Sequence, residues 1–167
     1  DRLVADGETL PLGSLAIRVM LSPGHTLGSV TYLVGDAAFV HDTFMQPDAG
    51  TTRTDFPGGC ARALYRSLQA LLALPDETRL FVGHDYGTAE RKEPTWEATV
   101  GEHRTGNKHV GGGASEEAFI RLREARDATL DLPDRMLHAL QVNLRGGRLP
   151  EPEEDGHRYL KIPVNRF

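Results

Sequence analysis

Residues 15–42 read LAIRVMLSPGHTLGSVTYLVGDAAFVHD, and their alternation already spells out strands and a turn. Leu15, Ile17, Val19 and Leu21 alternate with other residues over seven positions, the period-two pattern of a strand with one face turned to a core. Pro23-Gly24 stops that strand. Ser29 to Val34 is rich in β-formers and meets Ala37 to Val40 across Gly35-Asp36, a tight-turn pair between two apolar runs, so a hairpin is expected. Two of these runs stop on a residue able to hold a metal, His25 and Asp42, and a third apolar run, TRLFV at 78–82, leads to His84. Residues just past strand ends converge on one edge of a sheet, and two imidazoles with one carboxylate are donors that iron(II) and zinc prefer. A metal site built from His25, Asp42 and His84 is therefore expected.

Outward from this stretch the pattern is mixed α/β. Residues 42–59, DTFMQPDAGTTRTDFPGG, have glycines, prolines and short polar residues without periodicity, so they form a long loop, and loops beyond about 12–15 residues in compact domains tend to be functional. Leu64, Leu68, Leu71 and Leu72 fall at i, i+4, i+7 and i+8, the stripe of an amphipathic helix that ends near Pro75. Leu80 to Val82 reads as a short buried strand. Residues 95–107 are expected to be helical, with Trp96 and Val100 as apolar points, and Val110 to Gly113 to be a linker. Ser115 is placed to cap a helix with Glu116 and Glu117 in its first turn and Phe119, Leu122 and Ala125 on one face. Leu137, Leu140 and Leu144 keep helical spacing after Pro133, the EPEED tract at 151–155 is exposed, and Tyr159 to Val164 regains strand character. The organisation expected is a sheet-based core over residues 1–90 and a helical extension with a strand-like tail over 91–167.

Composition narrows the function. The chain has 167 residues and a net charge of −5, with acids and bases interleaved, so no basic stripe points to nucleic acid and no cationic amphipathic segment to a membrane surface. No apolar run approaches the roughly 18 residues of a membrane span, and the first residues lack the layout of a signal peptide. A small-molecule partner is expected. Cys60 is the single cysteine, which rules out an internal disulfide and fits a reducing, cytoplasmic setting. The chain opens on Asp1 in an element-rich region, and a segment upstream is expected. Of the other histidines, His41 should point away from Asp42 by strand alternation and pack or support, and His103, His109, His138 and His157 are read as structural or solvated.

The order Ser22-Pro-Gly-His-Thr-Leu-Gly28, Val40-His-Asp-Thr43, Thr52-Arg-Thr-Asp-Phe56 and Gly83-His-Asp-Tyr86 resembles the metallo-β-lactamase superfamily, and more narrowly its persulfide (sulfur) dioxygenase branch, close to glyoxalase II. The tail Tyr159-Leu-Lys-Ile-Pro163 is similar to bacterial members of this group. The resemblance implies an αββα sandwich of which this chain is the C-terminal half with a helical extension, and a metal at the sandwich edge. It aligns His25 and Asp42 with two ligands of a single iron(II). The third belongs to a His-x-His-x-Asp-His signature of the N-terminal half, a string this sequence does not contain. His84 aligns with the histidine that serves the second metal of binuclear zinc members, and stands beside the iron in the dioxygenases.

If the N-terminal half completes the site, the resemblance implies oxidation of glutathione persulfide to glutathione and sulfite. Arg53 and Thr54 would then bind the substrate, with the Arg53 guanidinium gripping a carboxylate, although an ion pair with Asp55 is the alternative for Arg53. Tyr86 would act at the reacting centre or, alternatively, satisfy a backbone group. Cys60 is read as a packing residue or a persulfide carrier. A glyoxalase II-like thiolester hydrolase with two zinc ions is the first alternative function, with His84 a true ligand. An inactive, metal-free fragment is the second. A half-sandwich would expose an apolar face, so homo-oligomerisation or association with the missing half is expected.

Overall fold

The computed structural model describes residues 2–164 and divides into two compact units, Asp1–Thr129 and Leu130–Phe167. The first holds a six-stranded sheet in sequential order: β1 (Thr9–Leu12), β2 (Leu15–Leu21), β3 (Val30–Val34), β4 (Ala37–His41), β5 (Arg79–Val82) and β6 (Glu97–Thr99). All neighbours are antiparallel except β4 and β5. The expected hairpin is β3–β4, and its turn places Gly35 at φ +60°, where a residue without Cβ is unstrained. The parallel β4–β5 pair needs a crossover, supplied by helix α1 (Ala61–Leu72).

Helix α1 turns Leu64, Leu68, Leu71 and Leu72 onto one face of the sheet, where Ala38, Val40 and Leu80 meet them in a buried core. Each of the leucines and Val40 contributes roughly 1.5–3 kcal/mol of burial. Phe44, Val100, Val110 and Phe119 complete that core from the long loop, from α2 (Val100–Gly106), from the residue before a 3₁₀ turn at Gly111–Gly113 and from α3 (Glu116–Asp127). Across the sheet Val19, Tyr32, Phe39 and Phe81 fall in register over four strands, with the Phe39 and Phe81 rings stacked at 5.2 Å and Phe39 exposed.

The structure departs from the sequence pattern at several points. β1 escapes the alternation because it is short and contains Pro11; it exists as an edge strand paired to β2. Residues 97–99 are strand rather than helix, paired to β5, and α2 starts only at Val100 behind a capping box in which Thr99 and Glu102 serve each other's backbone N–H. Tyr159 to Val164 forms no strand. Ser115 does cap α3, its hydroxyl oxygen accepting the Ala118 N–H, but the buried face is Phe119, Arg123 and Asp127, and Leu122 is exposed. In the second unit α4 (Met136–Asn143) covers the helical spacing read after Pro133, and Gln141 ties it to Lys161 through two hydrogen bonds.

Candidate functional site

β2 and β4 both run antiparallel to β3, and β5 is parallel to β4, so the chain leaves β2, β4 and β5 at the same edge of the sheet. His25, Asp42 and His84 lie just beyond these three exits, and the structure brings them together. His84 Nε2 is 2.9 Å from Asp42 Oδ1, and His25 Nε2 is 3.9 Å from Oδ2. His41 joins them, with Nδ1 3.4 Å from Oδ2. Alternation had placed His41 on the far side of the strand. A register shift between Phe39 and His41, with His41 in the left-handed region at φ +49°, breaks the period and turns both residues toward the edge.

The loop carrying His25 is locked from below. Gly24 sits at φ +146° with room for no Cβ, since one would lie 2.3 Å from the Leu64 Cα. Its carbonyl accepts the Cys60 N–H at the start of α1, and Ser67 Oγ donates to the Pro23 carbonyl. Cys60 itself is exposed rather than packed. His25 is oriented from the other side by the loop at 51–54: Nδ1 is 2.9 Å from the Arg53 carbonyl and 3.1 Å from Thr52 Oγ1. A carbonyl only accepts, so Nδ1 carries the proton and the neutral ring has a bare Nε2 facing Asp42.

Asp42 gains no compensation from this neighbour. Its Oδ1 is buried without a hydrogen bond, because the 2.9 Å approach of His84 Nε2 lies off the line a hydrogen bond requires. A buried carboxylate oxygen with no donor, beside an imidazole nitrogen with a free lone pair, is the chemistry of a cation site. The donors thus fit a metal as part of a shell. Among the described residues no group of three or more His, Cys, Asp or Glu encloses an ion, and the contacts run pairwise through Asp42.

Around these groups the expected substrate residues take definite places. Arg53 forms a two-point ion pair with Asp55 at 2.6 Å, holding that carboxyl below its usual range, and lies 4.7 Å over the Phe56 ring. Thr54 is buried and commits both its N–H and its hydroxyl to Asp127, at 2.8 and 2.9 Å, so the structure makes it an anchor of the loop instead of an open ligand-binding hydroxyl. Tyr86 is exposed, its ring 4.5 Å from that of His84. His84 is followed by Asp85, whose carboxyl is lowered to about 2 by hydrogen bonds from Arg91 and from the Thr95 and Gly87 N–H groups. Arg91 also grips Asp48 at 2.9 Å, joining the loop after β4 to the loop after β5.

Two histidines serve structure. His103 accepts from Asn107 Nδ2 at 3.0 Å and packs on Phe44, and its buried Nε2 has no partner. His109 Nδ1 accepts the Thr51 N–H at 2.9 Å, and the ring lies so near Gly50 that a Cβ there would stand 2.4 Å away. Burial pushes both imidazoles down to about 4, with Arg123 adding to the effect at His109.

The sequence reading missed Arg123 and Asp127, which grip the 51–54 loop from α3. Their signal is a charged pair at i and i+4 in the same stripe as Phe119.

No family model matches the chain. It is 62% identical over 99% of its length to a "beta-lactamase hydrolase-like protein" of Xylella fastidiosa, of which it spans 38%, and 32% identical over 88% to the human mitochondrial persulfide dioxygenase ETHE1, of which it spans 54%. Among solved structures it superposes on ETHE1 from Myxococcus xanthus with a TM-score of 0.76 at 35% identity, covering 87% of this chain and 60% of that one. A metallo-β-lactamase of Staphylococcus aureus shares the fold at 23% identity and a TM-score of 0.68, over 91% of this chain and 47% of that one. A further match, at 29% identity and a TM-score of 0.51 over 64% of this chain and 47% of that one, is a protein solved in a di-iron-bound form. The chain spans less than two thirds of each of these relatives.

Proposed function

We propose that this chain, a metallo-β-lactamase superfamily member matching the C-terminal part of its relatives, forms one side of a persulfide dioxygenase site, in which His25 and Asp42 hold iron(II) with a histidine from outside these residues. The observation that carries the reading is the buried, donorless Asp42 oxygen beside the bare Nε2 of His25. When bound, iron(II) supplies open positions at which a persulfide sulfur and dioxygen are activated. The chain's own residues do the rest. The Arg53 carbonyl and Thr52 hydroxyl fix the His25 ring, and the Asp85–Arg91–Asp48 pairing holds the two loops that flank Asp42 and His84. Tyr86, exposed beside His84, offers its hydroxyl to the substrate. Arg53 faces the tripeptide carboxylates, with Asp55 and Phe56 setting the direction of its guanidinium. The in-register row of Tyr32, Phe39 and Phe81, beside the already buried Val19, is the face on which the rest of the fold would pack.

One contact favours a second reading. The 2.9 Å approach of His84 Nε2 to Asp42 Oδ1 suits two metals sharing that carboxylate, as in a binuclear zinc thiolester hydrolase. Oxygen uptake by the complete, iron-loaded protein with glutathione persulfide decides between them. The expected result is one oxygen consumed per sulfite released. Hydrolysis of a glutathione thiolester by the zinc form, with no oxygen uptake by the iron form, would replace the first reading with the second.

A further inference from the structure

We propose that Asp127, supported by Arg123, is a positioning residue for His25. It pins the 51–54 loop so that the Arg53 carbonyl accepts the Nδ1–H and Nε2 is left for a cation. The inference rests on the metal reading of the site.

The geometry is a clamp with two jaws and a working middle. At one end of the loop, Arg123 Nη1 donates to the Thr51 carbonyl at 3.0 Å. At the other, Asp127 Oδ2 receives the Thr54 N–H and hydroxyl. Both jaws belong to one buried ion pair, in which Arg123 Nη2 and Nε reach Asp127 Oδ1 at 2.7 and 3.0 Å. Between the jaws stand only Thr52 and Arg53, and these are the residues whose hydroxyl and carbonyl face His25 Nδ1.

Such a pair is a poor device for stability alone, since apolar residues of similar volume in its place are often neutral or better. What it supplies is direction. The tautomer of a ligating imidazole is set by the hydrogen bond its other nitrogen makes, and losing that partner typically weakens metal affinity 10- to 100-fold. A peptide carbonyl released at both ends of a four-residue loop no longer holds a 2.9 Å contact, and His25 then distributes its proton over both nitrogens.

The test uses the complete protein and two variants. Asp127→Asn keeps the shape of the side chain and weakens one jaw. The double variant Arg123→Met/Asp127→Leu removes both charges together, leaves no lone buried ion, and carries the test if the single variant does not fold. Long-range ¹H–¹⁵N spectra of the metal-free protein report the His25 tautomer directly, and chelator competition with zinc reports affinity. The unaltered protein is expected to show Nδ1 protonated and the variants a mixed or reversed tautomer, with zinc affinity lower by about 10- to 100-fold. Variants that keep the Nδ1-protonated ring, whatever their unfolding midpoint, would reduce Asp127 to a brace and overturn the inference. Absence of a zinc-induced shift at His25 Nε2 in the unaltered protein would overturn the metal reading itself.

Discussion

In the neutral His25 ring, Nε2 and Asp42 Oδ2 face each other across 3.9 Å with no hydrogen between them, because Nδ1 keeps the ring proton and donates it to the Arg53 carbonyl on the opposite side. Two acceptors in a partly buried pocket repel unless something positive lies near them. The arrangement therefore stores a demand for a cation that folding alone does not meet.

A divalent metal should accordingly stabilise the folded protein. At a free concentration 1,000 times the dissociation constant the gain is about 4 kcal/mol, read as a rise in the urea midpoint on adding zinc or iron(II) under argon. His25→Ala and Asp42→Asn should abolish that rise. An equal rise in the variants would place the metal elsewhere.

Gly24→Ala should cost at least about 1–3 kcal/mol, because the new methyl meets the Leu64 backbone and the residue keeps a positive φ. Denaturant unfolding measures it. Retention of wild-type stability would mean that the His25 loop is not seated on α1 as described.

Acid should weaken the fold before the carboxylates titrate. His103 and His109 have folded values near 4 against an ordinary 6.5, so the unfolded chain binds more protons between these limits. Their contribution is full above pH 6.5 and lost as pH falls toward 4, at roughly 2–3 kcal/mol each. His109→Asn should flatten that slope by about one proton relative to the unaltered protein. Asp85, lowered to about 2, acts at more acid pH, its contribution being lost between about 3.8 and 2.

Arg53→Lys should raise KM for an anionic thiol substrate by about tenfold while kcat changes little, since a lysine replaces a two-point grip with one. Steady-state kinetics of the complete protein with glutathione persulfide gives the split. An unchanged KM would assign Arg53 to its pairing with Asp55 alone.

Much of this fold was legible from local pattern. The alternation in β2, the Gly35-Asp36 turn and the leucine stripe of α1 carry their own structure, and strand order then delivers His25, Asp42 and His84 to one edge. What failed was structure created by pairing. β1 and β6 are strands because β2 and β5 supply their partners, and Tyr159 to Val164 has strand composition without one. His41 was misdirected because a bulge breaks the period on which its reading depended. Asp127 reads as a helix-surface acid until the loop it anchors is folded against it.

That anchor lies 73 residues downstream of Thr54, and this distance sets a clock on biosynthesis. At about 5–20 residues per second, Thr54 precedes its carboxylate by roughly 4–15 seconds of translation. Through that interval the His25 side chain is already made without the clamp that orients its ring, so on the metal reading proposed above selective loading would follow the docking of α3.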